Sequence, residues 1–313
     1  MLFLCAEIAL RGFANRINRP IEKSNQLFAR FSKNMVNLNG QLLPVLPESF
    51  ALLQRAAFYG DGLFETVRAF EGQVPFWPLH WERFSNGMKV LGFETPPHWT
   101  SDYFEKEITK SSPINARIRL TVWRSPGGLY LPTDDKPQFL VTTEPLESGV
   151  FEWLGSGLNV CLCETVRLPV DSLSGIKILG GARYVAAARE ARAKGVDDVI
   201  VLNAHGRVCE ATGSNVIWLE GDIVFVPPSF DGQINGTLTK LLCTLLRAEG
   251  WEVREKPTLV EDLLGADEVL LTNAVRGIRW VRKFEGAVFG HEKGLQFNYI
   301  LGKHLAEKIA QIG

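Results

Sequence analysis

The period of the hydrophobic pattern changes repeatedly along the chain, and the changes mark short strands interleaved with a few helices. From Met35 the run Met35-Val-Asn-Leu-Asn-Gly-Gln-Leu-Leu43 reads as strand, Asn-Gly turn, strand. The Phe58–Arg68 block and a strand ending at Gly72-Gln73 follow. Over Pro78–Leu91 the apolar positions Leu79, Phe84, Met88 and Leu91 fall at helical spacing. Ala116–Trp123 and Gln138–Thr143 read as strands, flanking a Gly-, Pro- and Asp-rich loop, Arg124–Lys136, that is too polar for a core. The pattern relaxes over Pro145–Gly157, which predicts a linker. Beyond it, strands are predicted at Leu158–Leu168, Asp198–Asn203, Asn215–Glu220, Ile223–Val226, Trp251–Lys256 and Glu268–Thr272. Helices are predicted at Gly180–Lys194, Asn235–Glu249 and Gly294–Ile312, with a helical turn at Val260–Leu264. Strands and helices mix without regular alternation, which points to an α+β fold rather than a doubly wound sheet. Two domains are expected, residues 35–145 and 158–313, joined by the linker 146–157. No G-x-G-x-x-G follows a strand, so a dinucleotide site has no support.

Composition narrows the class. The 313 residues are 46% hydrophobic and 22% charged, as in a globular enzyme of ordinary size. A net charge of −1 argues against a nucleic-acid binder. No run of about 18 apolar residues exists to span a membrane. Five cysteines without a C-x-x-C, and five histidines never paired at H-x-x-x-H, give no metal site and indicate a reducing, cytoplasmic setting. The first 34 residues carry Arg11, Arg16, Arg19, Lys23, Arg30 and Lys33 against only Glu7 and Glu22. Three readings stand for them: a start assigned upstream of the true one at Met35, a transit-like presequence, or a docking helix. The strand-like restart at Met35 favours the first.

Three candidate groups carry chemistry. Lys177 ends Ser174-Gly-Ile-Lys177, just before a predicted helix, where the positive end of the macrodipole disfavours an ammonium. A lysine of depressed basicity is what a Schiff base needs. Glu210 lies in the small-residue turn Glu210-Ala-Thr-Gly-Ser214-Asn215, and Asn235-Gly236-Thr237-Leu238 opens a helix whose free N–H groups suit an anion. An amine, a carboxylate and an anion cradle, in that order, are the parts that hold pyridoxal 5′-phosphate.

Together with Tyr59-Gly-Asp-Gly-Leu-Phe-Glu-Thr-Val-Arg68, His80-Trp-Glu-Arg83, Gly195-Val-Asp-Asp198 and Thr272-Asn-Ala274, these blocks resemble the class IV aminotransferases, the fold-type IV pyridoxal-phosphate enzymes. The resemblance covers about Met35 to Phe284. It implies that Lys177 bonds the cofactor and shuttles the substrate proton, and that Glu210 faces the pyridine nitrogen. It implies that Arg83 and the N–H groups of Gly236, Thr237 and Leu238 hold the phosphate, with Leu238 where many members have Thr. Ser214 and Asn215 match the turn beside the ring. Thr272, Asn273 and Ala274 match the turn that lines the phosphate and substrate carboxylate. Arg68 and Arg124 are candidates to clamp that carboxylate; a strand-end ion pair or a loop anchor is an equal reading of each. The loop Arg124–Pro132 often reaches a partner subunit in this family, so a homodimer acting on a small amino substrate is implied.

The family contains lyases and transaminases. The loop Pro126-Gly-Gly-Leu-Tyr130 lacks the Arg-x-His pair of D-amino-acid transaminases, and Arg117-Ile-Arg119 stands where branched-chain transaminases have Tyr-x-Arg-Pro. The series Arg119-Leu-Thr-Val-Trp-Arg124 followed by Ser-Pro-Gly-Gly resembles the aminodeoxychorismate lyases more closely. A branched-chain transaminase is the alternative, and a cofactor-free binding protein on the same fold the remote one.

Overall fold

A computed structural model describes residues 35–38, 41–44, 54–110 and 113–312; the expectation for residues 1–34 lies outside them. The chain divides into two compact units at Gln54/Arg55. In the first, Met35–Leu38 (β1) and Gln41–Pro44 (β2) pair antiparallel with Leu38 opposite Gln41, the register that a two-residue Asn-Gly connection sets.

The second unit holds two sheets. Gly62–Ala69 (β3), Ala116–Arg124 (β4) and Pro137–Pro145 (β5) form an antiparallel sheet in that order. Strand alternation sorts the side chains. Leu63, Val67, Ile118, Leu120 and Val122 face Trp77, Phe84 and Met88 of helix α1 (Trp77–Val90) and Phe104 and Ile108 of α2 (Ser101–Thr109). Phe64, Thr66, Arg68, Arg117 and Arg119 take the other face and line a cleft. Helix α2 is absent from the sequence expectation because its pattern is only nine residues long and buries just two side chains. Residues 54–59 are helical, so the Phe58–Arg68 block turns from helix to strand at Gly62.

The nine-stranded sheet contains Leu158–Leu162 (β6), Asp198–Leu202 (β7), Val208–Ala211 (β8), Asn215–Glu220 (β9), Ile223–Val226 (β10), Glu252–Glu255 (β11), Glu268–Asn273 (β12), Gly277–Phe284 (β13) and Ala287–Val288 (β14). β8 bonds to both β7 and β9, so the order β9-β12-β13-β6-β7-β8 closes on itself. Val216, Trp218, Val269, Leu271, Ile200 and Leu202 pack together on one face of these strands. On the other face, Ile217, Leu219, Leu270 and Ile278 meet Leu238, Leu242 and Leu246 of α4 (Thr237–Ala248) and Phe297 and Leu301 of the C-terminal helix Glu292–Ile312. Val199 and Val201 pack on Ala187 and Ala191 of α3 (Ala182–Lys194). The predicted strand Leu158–Leu168 stops at Leu162 and rejoins at Leu168, bridged to Asn203. β8 and β13 escape the sequence pattern, β8 because a buried glutamate interrupts it and β13 because Arg279, Arg282 and Lys283 make it read as polar.

Candidate active site

Lys177 is placed by β3. Its carbonyl accepts from Phe64 N–H at 2.9 Å, and Leu179 N–H donates to the Gly62 carbonyl at 2.9 Å. Helix α3 starts only at Ala182, so the helix-dipole argument for this lysine fails, because that field fades within the first turn. The depressed basicity has other causes. Burial lowers the pKa of Lys177 first, Arg83 and Arg119 lower it further, and Glu65 and Glu210 oppose them. The amine lies 4.7 Å from the Phe64 ring, in a cleft of about 1240 Å³.

One end of the cleft is organised by Glu65. The H-x-x-R spacing puts His80 and Arg83 on one face of α1, and β3 alternation aims Glu65 at both. Arg83 grips Glu65 through Nε at 2.8 Å and Nη2 at 2.6 Å, and Nη1 donates to Asn235 O at 2.7 Å. Two of the five guanidinium N–H groups remain for a ligand. Burial would raise Glu65, but Arg83 and the His80 and Arg83 hydrogen bonds hold it down at about 2. The anion makes His80 Nδ1 the donor, at 2.7 Å, so Nε2 accepts from Thr237 Oγ1 at 3.4 Å. Burial lowers the His80 pKa, against the hydrogen bond and charge of Glu65. Beside this cluster, α4 begins at Gly236 with no side-chain cap, which leaves its first N–H groups for an anion. A Cβ at Gly236 would overlap the Asn215 side-chain oxygen, so any larger residue would displace Asn215 from Glu210 and Ile234. Leu238 is buried with Leu242 and Leu246; only its backbone N–H can contribute.

At the other end stands Glu210, positioned by a bulge. Val201 pairs with Glu210 but Leu202 with Val208, so Cys209 is the extra residue. The bulge turns Glu210 toward α3, where Tyr184 donates to Oε1 at 2.5 Å. Oε2 accepts from Ile234 N–H at 3.0 Å and Asn215 Nδ2 at 3.4 Å. Burial pushes Glu210 up to about 7, against these hydrogen bonds and the charges of Lys177 and Arg83. Ser214 closes the turn, its carbonyl accepting from Ala211 N–H at 2.8 Å, and Asp198 ties Thr212 to β7 at 2.6 Å.

The cleft brings together Arg68, Arg83, Lys177, Glu210, Ser214, Asn215, Gly236, Thr237, Leu238, Thr272, Asn273 and Ala274. Arg124 is elsewhere. Its guanidinium binds Asp61 at 3.1 Å, Asp135, and the Leu91 carbonyl at 2.5 Å, and lies over Phe93. It anchors a loop and is not a carboxylate clamp. Arg68 borders the cleft, but Nη1 donates to Val275 O at 2.6 Å and Nη2 to Ser148 O and Val150 O at 2.8 and 2.7 Å. Its two spare N–H groups, on Nε and Nη1, do not lie side by side, so it offers no parallel fork to substrate; it clasps the 273–276 turn. Asn273 shapes that turn, its Oδ1 accepting from Val275 N–H at 2.8 Å and Arg276 N–H at 3.1 Å, and its Nδ2 donating to Gly213 O. Thr272 Oγ1 meets Thr239 Oγ1 at 2.7 Å, while Ala274 lines the cleft. Sequence reasoning passed over Glu65, His80, Tyr184 and Arg119. Alternation in β3 and β4 marks Glu65 and Arg119, but Tyr184 depends on the bulge at Cys209, which no spacing reveals.

The profile of the amino-transferase class IV family matches residues 62–284, and the chain belongs to that family. It is 28% identical over 265 residues to a protein of Methanocaldococcus jannaschii named as a branched-chain-amino-acid aminotransferase, covering 82% of this chain and 90% of that one. It is equally 28% identical, over 238 residues, to the aminodeoxychorismate lyase of Vibrio harveyi, covering 74% and 87%. The fold matches a hypothetical aminotransferase from Mycobacterium tuberculosis in its pyridoxal-phosphate-bound form, with a TM-score of 0.68 at 23% identity, over 85% of this chain and 96% of that one. The protein is therefore a pyridoxal-phosphate enzyme of fold type IV. Its residues fit that group: a buried amine, a carboxylate raised by burial, two spare guanidinium donors and an uncapped helix start face one cleft.

Proposed function

We propose that this enzyme is a 4-amino-4-deoxychorismate lyase, releasing 4-aminobenzoate and pyruvate. The observation that carries the reading is a set of arginines without carboxylate partners on a cleft wall that also carries Glu144, Glu147, Glu152 and Asp171. Arg119, Arg276 and Arg279 line it, and none has a carboxylate at ion-pair distance among the described residues. Arg119 stacks 3.7 Å over Phe64, the same ring that faces Lys177. Burial and then Arg117 lower the Arg119 pKa, so an anion paired with this guanidinium would offset its desolvation. A substrate with two carboxylates suits such a wall better than an isobutyl side chain does.

Arg83 and the N–H groups of Gly236, Thr237 and Leu238 would hold the phosphate, Glu210 would face the ring nitrogen, and Ser214, Asn215, Thr272 and Asn273 would frame the ring. Bound there, pyridoxal phosphate supplies a carbonyl for the substrate amine and a ring that takes up the electron pair left by a departing proton. Lys177, its basicity lowered, removes the proton from the amine-bearing carbon. In the lyase reading the ring–oxygen bond of the enolpyruvyl group then breaks, the leaving enol takes a proton on its methylene to become pyruvate, and the carbocycle aromatises. Arg119 grips a substrate carboxylate, and the Ala274 backbone borders it.

The transaminase reading has its own support, because 2-oxoglutarate is also a dicarboxylate and the M. jannaschii relative carries a branched-chain name. A homodimer is supported by the β4–β5 loop. Leu129, Tyr130 and Leu131 are 75%, 91% and 83% exposed, while Arg55 fixes their backbone by donating to Gly127 O and Leu129 O at 2.8 and 2.7 Å. One assay separates the readings. Offered 4-amino-4-deoxychorismate, the enzyme is expected to release 4-aminobenzoate and pyruvate in equal amounts. Glutamate formed from leucine, isoleucine or valine with 2-oxoglutarate, without 4-aminobenzoate from the first substrate, would overturn the lyase and establish the transaminase.

A further inference from the structure

Tyr184 sits where α3 meets the bulged strand. It shares a helix face with Ala187 and Ala191, three and seven residues on, and those small side chains let the helix lie close against Val199 and Val201. The ring is thereby packed with its Oη 2.5 Å from Glu210 Oε1. Burial first, then the charge of Glu210 and this hydrogen bond, raise the phenol pKa. The proton therefore stays on Tyr184, and the phenol donates. The carboxylate has two further donors, both neutral, on Oε2, and Oε1 has Tyr184 alone among the described residues. The phenol is the shortest of the three contacts, and short bonds to an ionised acceptor are the strong ones.

We propose that Tyr184 is a positioning residue that sets the proton affinity of Glu210, and through it decides whether the proton shared with the cofactor's ring nitrogen rests on the ring. The inference relies on Glu210 being the ring-facing carboxylate. A proton between a carboxylate and a pyridine nitrogen settles on the stronger base. Withdrawal from water strengthens the carboxylate as a base, and each donated hydrogen bond weakens it. Without Tyr184, Glu210 competes better for that proton, the ring becomes neutral, and it accepts electron density less readily. Loss of one charge-assisted hydrogen bond corresponds to a shift of about one to two pH units, or a ten- to hundredfold change in where the proton lies.

The test uses the holoenzyme loaded with pyridoxal phosphate carrying nitrogen-15 in its ring, and reads the nitrogen chemical shift by NMR. In the parent the resonance is expected at the protonated position. In Tyr184→Phe it is expected to move toward neutral pyridine, with kcat lowered and KM little changed. Fluorotyrosine incorporated at position 184, a stronger donor of nearly the same size, is expected to hold the ring at the protonated position. This second variant keeps the packing if the phenylalanine protein folds poorly. In a Glu210→Gln background, Tyr184→Phe is expected to add nothing. A resonance unmoved by Tyr184→Phe while Glu210→Gln moves it would overturn the role of Tyr184 alone. A resonance unmoved by Glu210→Gln would overturn the assignment of Glu210, and this inference with it.

Discussion

Glu65 and Glu210 are equally withdrawn from solvent, at 0% and 3% exposure, yet they sit on opposite sides of the ordinary carboxylate range. Burial acts on both in the same direction. At Glu65 it is outweighed by a bidentate guanidinium and a histidine N–H, and the carboxyl falls to about 2. At Glu210 the contacts come from a phenol, a backbone amide and a side-chain amide, none of them a cation, and burial prevails at about 7. The protein neutralises the first carboxylate with its own residues and leaves the second to be completed by what binds. Glu65 is part of the scaffold that aims Arg83; in the proposed function Glu210 is part of the chemistry. Both ends of the cleft follow from local rules, strand alternation at one and a bulge at the other.

The sharpest contrast is in stability against pH. Glu65 has a folded pKa below its unfolded value near 4.5, so its stabilisation is present above that pH and is lost as pH falls toward 2. Glu210 has a folded pKa raised to about 7, so its ionisation costs the cofactor-free protein stability as pH rises from about 4.5 through 7. Each effect is on the order of 3 kcal/mol. Glu65→Gln is expected to lower stability at neutral pH by about 3–5 kcal/mol, because Arg83 loses its buried counter-charge, and to weaken cofactor retention. Glu210→Gln is expected to leave stability unchanged or higher at neutral pH while turnover collapses. Urea titrations of the cofactor-free variants across the acid range measure both slopes; parallel slopes would erase the contrast.

A smaller effect separates scaffold from chemistry at the arginines. Arg124→Ala removes the tie among Asp61, Asp135 and the Leu91 carbonyl, and is expected to lower stability by about 2 kcal/mol. The cofactor content and KM of what remains folded are expected to match the parent. A raised KM without loss of stability would return Arg124 to the substrate site.

Most of this arrangement is legible in the residues themselves. The helix period over Pro78–Leu91 and the strand runs at Ala116–Trp123, Asn215–Glu220 and Glu268–Thr272 reappear within a residue or two of their predicted ends. These segments bury one continuous apolar face, and burial fixes the period. α2, β8 and β13 were hidden because few or interrupted apolar positions leave no period to read. At the site, the blocks around Lys177, Glu210 and Gly236 converge on the cleft, while Arg68 and Arg124 are engaged by backbone carbonyls and aspartates. Nothing in their spacing distinguishes a free guanidinium from a committed one, since the acceptors come from residues 91, 135, 148, 150 and 275, far along the chain. The cause assigned to the depressed Lys177 amine also differs, being burial and neighbouring arginines rather than a helix start.

Every role proposed for the cleft depends on Lys177 being the amine that bonds the cofactor opposite Glu210. Borohydride reduction of the yellow holoenzyme, followed by peptide mass mapping, tests it most directly. The pyridoxyl group is expected on Lys177, in the peptide containing Ser174-Gly-Ile-Lys177, and no label is expected in Lys177→Ala. Label on Lys89, Lys240 or another lysine of the parent enzyme would contradict the site and every role built around it.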